Sequence, residues 1–579
     1  MVLPKRRLVV FAVVLLPLAA CGYSDEGAFS AGSENTARPD VTGGDTGSWS
    51  GPDASPADTS MPSDWGGGWS DTGATNPGPG PDADTGGGNT NISFGGAQDF
   101  GHPRAVIEAG GVPHPRDLDP AGFFAEHATP LPAPTCGRRM CVQAMLGVFE
   151  NLLTGTPCTM LQLGLNSPIE VDPGDRPPLT LAVAVDVSGS MEAGDKIGFV
   201  RSGLERLVAE LHDEDRIAIV TYSSGAEVVW PMGEVRGNRF ELAALVRGLT
   251  AGGGTNLHDG LQLAYDQVGA AWESGRQNRV ILLSDGQPTA GITDTSTIVA
   301  QSAARNSDGI GLTTVGLGLD FNVELMRSLA EQADGNFYFL ESSTAVDEVF
   351  SEELAYFTLP VAFDVELDVR SGSLYDLVRA HGSTRFVVDD GGGSFEVPSV
   401  FFAHREAPDD VFEGEDGVGR RGGGSMLVLE LMPKVWDGEV PPSAADVAHV
   451  SLSYREPGTD ELVNEEVVVT YPYAPDHVVP TGFFENTIVT KSFVVLNLYF
   501  AIEDAALKFH GGLPREARDV LARVIAAALD YEDSANGGAG DVDIRLDVEL
   551  MEEMLANIER LGGLVEPPPP VSEDPWPCD

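Results

Sequence analysis

From Leu179 onward, apolar runs of strand length alternate with stretches in which apolar residues recur every three or four positions. The run 179–185 precedes a helical pattern over 196–211, and the same pairing of strand and helix continues to about residue 356. Strands that are joined through helices lie parallel in one sheet, with helices covering both faces. The pattern therefore predicts an α/β domain with a doubly wound, mostly parallel sheet at residues 179–356, and Glu227–Pro231 is typical of an antiparallel edge strand.

Oxygen-bearing side chains follow three of the predicted strands. The first strand stops at D-V-S-G-S-M, which places Asp186, Ser188 and Ser190 at alternate positions, and later loops contribute Thr255 in G-G-G-T-N and Asp285 in S-D-G. Ligands of open α/β sheets bind at the carboxyl ends of the strands. Carboxylate and hydroxyl oxygens favour Mg²⁺, Mn²⁺ or Ca²⁺ over zinc. The sequence thus predicts a site for a divalent cation in which no histidine or cysteine takes part.

These three motifs, in this order and on these elements, resemble the metal-ion-dependent adhesion site of von Willebrand factor type A domains, over residues 179–356. The resemblance implies direct coordination by Ser188 and Ser190, coordination by Thr255 when ligand is bound, and contacts made partly through water by Asp186 and Asp285. It also implies that an outside Asp or Glu replaces a water on the ion. We therefore expect a protein partner that presents an acidic side chain.

The same residues support an enzymatic site less well than they support a cation-dependent binding site. A phosphatase with a strand-end aspartate nucleophile is expected to have a second aspartate where Ser188 stands. The G-x-S-x-G, G-x4-G-K-[ST] and H-E-x-x-H motifs are absent around these residues. Asn256 and His258 are expected at the rim of the ligand site, and no residue that would orient His258 as a base is evident. We expect a binding protein and not an enzyme, with a hydrolase as the least favoured alternative.

The first twenty residues have the pattern of a secretory signal. K-R-R precedes the apolar run Leu8–Ala20, which is shorter than the roughly 20 residues that a bilayer span needs. The following L-A-A-C resembles a bacterial lipobox, in which the signal is cut before the cysteine and Cys21 is acylated; ordinary secretory cleavage is the alternative. We expect a lipoprotein anchored to the membrane through Cys21, on the periplasmic or cell-surface side of the cell envelope.

The net charge argues against one class of partner, and the composition of residues 21–100 predicts a linker. A formal net charge of −53 makes nucleic acid a poor partner, because its phosphates must be neutralised by Lys and Arg. Residues 21–100 are dominated by Gly, Ser, Asp and Pro and are predicted to be a disordered linker.

Four further cysteines are candidates for disulfides in an exported protein: Cys136, Cys141, Cys158 and Cys578. Four cysteines allow three pairings, and the sequence does not choose among them. Their spacing does not match the usual paired C-x2-C of zinc sites.

The remaining chain divides into three predicted regions and a tail. In the cysteine-containing segment 101–178, Cys141–Leu153 is predicted to be a helix and Met160–Asn166 a strand. Residues 357–480 show several short alternating runs, which suggest a β-sandwich-like domain. If the strand at 160–166 completes that sandwich, the domain at 179–356 is an insertion.

Residues 481–565 are predicted to form a C-terminal helical region, followed by a tail at 566–579. Glu503 and Asp504 interrupt its most apolar stretch, which indicates a packed helix and not a membrane span. The P-P-L-x-L lead-in, V-D-V-S-G-S-M and the helical stretch near 493–531 resemble uncharacterised bacterial lipoproteins that have a von Willebrand type A domain and a conserved C-terminal region.

Together these features predict a lipid-anchored, extracytoplasmic receptor or scaffold that engages an acidic group through a divalent cation. The alternative is a structural envelope assembly factor with a permanent metal-bridged interface. A further hypothesis concerns the last helix of the α/β domain, Val346–Tyr356, which in resembling domains shifts when ligand binds and could transmit that event to the following region.

Overall fold

The computed structural model describes much of the chain after residue 89. The described residues are 90–94, 98–127, 129–150, 157–169, 176–333, 335–340, 349–350, 360–402, 426–434, 446–459, 461–474, 479, 482–535, 538 and 540–564. The signal segment 1–20, Cys21, Cys578 and the tail 566–579 lie outside this part. So does the helix predicted at 346–356, apart from Val349 and Phe350.

Strands and helices are mixed as far as residue 340, strands follow over residues 360–484, and three long helices end the described chain. The strands are β1 Thr90–Ile92, β2 Cys141–Glu150, β3 Pro157–Ser167, β4 Leu179–Asp186, β5 Arg216–Tyr222, β6 Ala226–Glu234, β7 Gln277–Ser284, β8 Gly311–Leu317, β9 Phe337–Leu340, β10 Pro360–Ser371, β11 Tyr375–His381, β12 Phe386–Asp389, β13 Gly392–Phe401, β14 Leu427–Pro433, β15 Asp446–Arg455, β16 Leu462–Thr470 and β17 Phe483–Phe484. The α-helices are α1 Gly101–Glu108, α2 Pro120–Ala125, α3 Lys196–Glu210, α4 Arg239–Arg247, α5 Leu257–Ala270, α6 Thr295–Asn306, α7 Val323–Glu331, α8 Thr487–His510, α9 Pro514–Ser534 and α10 Val542–Gly562.

The predicted α/β domain is a single sheet with strand order β6-β5-β4-β7-β8-β9. All neighbouring strands are parallel except β6, which is antiparallel to β5 as predicted for the edge. Every residue of β4 is buried, because its alternate side chains enter two cores: Val183 packs in the core that contains α3, and Ala184 in the core that contains α5. The doubly wound fold is therefore confirmed, and the strand order reverses beside β4.

The predicted sandwich consists of two antiparallel sheets that share one core. One sheet has the order β11-β14-β3-β2-β17, with β1 also paired to β3, and the other has the order β12-β13-β10-β15-β16. Side chains of both sheets meet in this core, among them Leu163 and Leu429 from the first and Val365 and Val450 from the second.

The strand predicted at 160–166 belongs to β3 and pairs with β14, where Leu161 lies opposite Leu429. The α/β domain is therefore inserted between β3 and β10 of the sandwich. This arrangement corrects the predicted boundaries, because 101–178 and 357–480 contribute strands to one β domain.

Two local predictions are wrong. The helix predicted at Cys141–Leu153 is the strand β2, which is buried on both faces: Leu146 enters the sandwich core, whereas Phe149 stacks on Phe493 of α8 with ring centroids 4.5 Å apart. A strand covered on both faces is almost continuously apolar, so it loses the alternation that identifies strands. The linker predicted to extend to residue 100 also ends earlier, because Thr90–Ile92 pairs with β3.

The inserted topology predicts a large effect for a core residue of β3. Leu163→Ala removes a fully buried side chain from the shared core, and we expect it to lower the free energy of unfolding by about 2–5 kcal/mol. The matched control is Leu462→Ala on the edge strand β16, where the leucine is 54% exposed and the change should stay within about 0.5 kcal/mol. Guanidinium denaturation of both variants checks this, and equal losses would contradict the sandwich assignment of β3.

The segment 98–127 connects the α/β domain to the C-terminal helices. The carboxylate of Asp99 accepts a hydrogen bond of 2.8 Å from the backbone N–H of Phe339 in β9, and the ring of His102 stacks edge-on against that phenylalanine. On its other side, Asn557 of α10 donates to the carbonyl of Ile107, at 2.8 Å. Within the described residues, no helix combines the length and apolar character that a membrane crossing requires.

Candidate metal centre

Asp186 is the last residue of β4 and is fully buried where β4 and β7 end side by side. One carboxylate oxygen, Oδ1, accepts a hydrogen bond of 2.8 Å from the backbone N–H of Ser188. The other, Oδ2, accepts one of 3.0 Å from the hydroxyl of Ser284, at the end of β7. The tight turn after β4 therefore fixes this carboxylate and aims the following serines at the same point.

The serines continue this arrangement as a chain of polar contacts. The hydroxyl oxygens of Ser188 and Ser190 lie 3.0 Å apart, and the Ser190 hydroxyl donates to Oδ1 of Asp285 at 2.8 Å. Asp285 and Ser188 are buried, whereas Ser190 is exposed. The structure thus brings Asp186, Ser188, Ser190 and Asp285 together and opens the group to the surface at Ser190.

Thr255 lies in the loop that enters α5, and this loop is joined to the serine loop. The backbone N–H of Gly189 donates to the carbonyl of Gly253 at 3.1 Å. Glycine at 253 suits this close contact, since its φ is +95°. The N–H of Thr255 donates to the hydroxyl of Thr289 at 2.9 Å. The Thr255 loop is therefore held against the loop that carries Ser188 and Ser190.

The two residues predicted at the rim are both held by hydrogen bonds. Asn256 is buried and caps α5, accepting from the Asp259 N–H at 3.3 Å and donating to the Asp259 carboxylate at 2.7 Å. Helix capping uses its amide, and its position at the rim of a ligand site stays a prediction. Nδ1 of His258 lies 3.0 Å from Oδ1 of Asp259, and its Nε2 lies 2.8 Å from Oε1 of Gln301. These contacts direct the imidazole toward α6, and they do not support the hydrolase alternative.

The chemistry of this group fits a hard divalent cation. Burial, reinforced by the neighbouring Asp285 carboxylate, raises the pKa of Asp186 to about 6, although hydrogen bonds from Ser188 and Ser284 oppose the shift. A cation beside Asp186 would offset the cost of ionising it in this buried position. Carboxylates and hydroxyls converge here with no soft ligand among them. Among the described residues no cluster of three or more His, Cys, Asp or Glu side chains could hold a metal.

A lysine that was not among the predicted site residues also lies here. Lys196 begins α3, and its Nζ lies 2.8 Å from Oδ2 of Asp285. Its side chain is 14% exposed, and that of Asp285 is fully buried. The only signal in the sequence is a single basic residue at the start of the helix that follows D-V-S-G-S-M, a position that could equally belong to a solvated helix end.

The three cysteines that the structure describes lie in or beside the strands β2 and β3 of the sandwich, apart from these loops. Cys136 and Cys141 form a disulfide that closes a short loop leading into β2. The thiol of Cys158 is buried in β3 and lies 3.9 Å from the carbonyl oxygen of Leu431. Cys578 lies outside the described residues, so a bond between it and Cys158 stays a prediction.

Comparison with known proteins finds a family match in the inserted domain. A family model described as von Willebrand factor type A domain matches residues 180–352. The uncharacterized protein YfbK of Escherichia coli (strain K12) is 31% identical over 195 residues, which are 33% of this chain and 34% of that protein. Inter-alpha-trypsin inhibitor heavy chain H2 of Mus musculus is 22% identical over 268 residues, which are 45% of this chain and 27% of that protein.

A solved structure of a von Willebrand factor type A protein from Catenulispora acidiphila aligns with a TM-score of 0.45 and 15% identity, covering 71% of this chain and 96% of that chain. The chain spans only about a third of the curated relatives it matches, 34% and 27% of their lengths. The family-model match concerns the inserted domain, and the fold assignment stands on the strand order of this chain. Residues 180–352 form a von Willebrand factor type A domain.

Proposed function

We propose that this protein is a binding protein that captures an acidic group of a partner protein through a divalent cation. The residues that would hold the cation are Asp186, Ser188, Ser190, Thr255 and Asp285. The observation that carries the proposal is the hydrogen-bonded chain from Asp186 through Ser188 and Ser190 to Asp285, in which both carboxylates are buried and Ser190 is exposed.

The balance of charges supports an acidic ligand. The site contains two carboxylates, and one of them is already paired with Lys196. A bound cation would supply a positively charged coordination position that an outside carboxylate can occupy. Because the other ligands are neutral hydroxyls and Lys196 already offsets one of the two carboxylates, the protein neutralises the cation only in part, and an attraction for Asp or Glu side chains remains.

The ligand set favours Mg²⁺, with Mn²⁺ and Ca²⁺ as alternatives. Mg²⁺ commonly binds through one or two carboxylates and retains waters, whereas Ca²⁺ takes six to eight oxygens. Side chains from three loops provide few carboxylate oxygens here, which suits the smaller ion.

We also propose that the protein acts in the cell envelope, tethered to a membrane through an acylated Cys21. The L-A-A-C sequence after the short apolar run supports this, as does the disulfide between Cys136 and Cys141, since disulfides persist outside the cytosol. Whether the segment 346–356 transmits ligand binding stays a hypothesis, because most of it lies outside the described residues.

The test combines a titration with a capture experiment on the chain from residue 22 onward. We expect calorimetry to show one Mg²⁺ or Mn²⁺ site, and beads bearing an Asp-containing peptide to retain the protein in Mg²⁺ but not in EDTA. Beads bearing the matching Asn peptide are the control. Retention that persists in EDTA, or that is equal on both kinds of bead, would contradict the proposal.

A further inference from the structure

Lys196 and the proposed cation ligand Ser190 both contact the carboxylate of Asp285. Oδ2 of Asp285 pairs with the ammonium at 2.8 Å, and Oδ1 accepts from the hydroxyl of Ser190, also at 2.8 Å. The carboxylate therefore turns one oxygen toward a resident positive charge and the other toward the proposed ligands. A lysine in this place is an internal competitor of any cation that approaches Asp285.

The loop after β8 leaves room for this lysine. Gly318 follows β8 with φ of +75°, and a Cβ on it would stand 2.6 Å from Cε and 3.1 Å from Nζ of Lys196. A side chain there would displace the ammonium, and the positive φ also favours glycine. The lysine is thus held between Asp285 and the end of a neighbouring strand, unlike a solvated lysine at a helix end.

We propose that Lys196 is a positioning residue that tunes the site by charge: it weakens binding of the divalent cation and strengthens binding of the acidic ligand to the loaded site. This inference rests on the proposed function. Two carboxylates and one ammonium leave the metal-free site at −1, so a divalent ion brings it to +1. Without the lysine the loaded site is neutral, and its attraction for an outside carboxylate falls.

The same lysine stabilises the domain before metal binds. Asp285 is buried, and a buried carboxylate without a partner charge is costly. Lys196 supplies that charge in the metal-free state. Its removal should therefore make the stability of the domain depend more strongly on Mg²⁺, because the ion then provides the compensation.

Three variants of the chain from residue 22 onward test the inference. Lys196→Met removes the charge and keeps most of the length of the side chain, Lys196→Arg keeps the charge, and Lys508→Met removes a positive charge from a partly buried pair with Asp504 in α8, remote from the site in sequence. For Lys196→Met we expect Mg²⁺ to bind at least about tenfold more tightly and the acidic peptide to bind the Mg²⁺-loaded protein at least about tenfold more weakly. The other two should resemble the wild type in both measurements.

Calorimetry gives both affinities, and thermal melting with and without Mg²⁺ gives the stability. If Lys196→Met does not fold without metal, Lys196→Gln, which retains a hydrogen-bond donor for Asp285, replaces it with the same expectations. If a folded Lys196→Met or Lys196→Gln variant binds Mg²⁺ as the wild type does, or more weakly, the inference is overturned. It is also overturned if Lys196→Arg shows the same changes in Mg²⁺ and peptide affinity as Lys196→Met. Failure of the wild type to bind Mg²⁺ instead refutes the proposed function, so the two failures are distinguishable.

Discussion

Asp186→Ala should lower Mg²⁺ affinity by at least about 100-fold while the domain stays folded. Asp186 is a proposed ligand, and its Oδ1 also orients Ser188 through the backbone N–H, so two contributions to the site are lost at once. Its raised pKa of about 6 means that the ionised carboxylate favours the unfolded state near neutral pH when metal is absent. Removal of that carboxylate should therefore cost little stability, apart from the hydrogen bonds that Ser188 and Ser284 lose.

Calorimetric titration with Mg²⁺, followed by thermal melting in EDTA, measures the two effects separately. Asp308→Ala is the control, because Asp308 is an exposed aspartate in the turn that leads into β8, at the opposite end of that strand from the site. If Asp186→Ala retained wild-type Mg²⁺ affinity, the ion would have to bind elsewhere, and the assignment of the metal centre would be wrong.

Much of the candidate site follows from the sequence, because three of its residues share one turn and the other two lie in loops at the same edge of the sheet. Asp186, Ser188 and Ser190 share one turn after a buried strand, and the rule that ligands bind at the carboxyl ends of strands brings Thr255 and Asp285 to the same edge. These residues need no long-range side-chain packing to meet, since the strand order alone places their loops together.

The errors fall where packing between distant segments decides the outcome. The residues of β2 predict a helix because they are apolar without alternation, and only the helix α8, more than 300 residues later, explains why both faces of the strand are buried. The pairing of Lys196 with Asp285 likewise joins residues 89 positions apart. The capping of α5 by Asn256 was not predicted, because it depends on the backbone conformation at that position.

Asp215→Ala should destabilise the type A domain by about 3–5 kcal/mol, since it breaks a buried ion pair and leaves a charge behind. Oδ2 of Asp215 accepts from the guanidinium of Arg176 at 2.6 Å, and Oδ1 accepts from the same group at 3.1 Å. The carboxylate also accepts from the backbone N–H groups of Leu179 and His212, at 2.8 and 2.7 Å. In the variant, Arg176 would remain with its side chain only 3% exposed and with its partner carboxylate removed.

Chemical denaturation of the single variant, of Arg176→Met and of the double variant Arg176→Met with Asp215→Ala checks this expectation. The double variant should lose less stability than the two single losses add up to, because neither charge is then stranded. Glu205→Ala is the surface control, since its pair with Arg247 is exposed and should contribute at most about 1 kcal/mol. Arg176 lies where the chain passes from the sandwich into β4. If the double variant lost as much unfolding free energy as the two single variants together, the ion pair would not be what fixes this part of the chain.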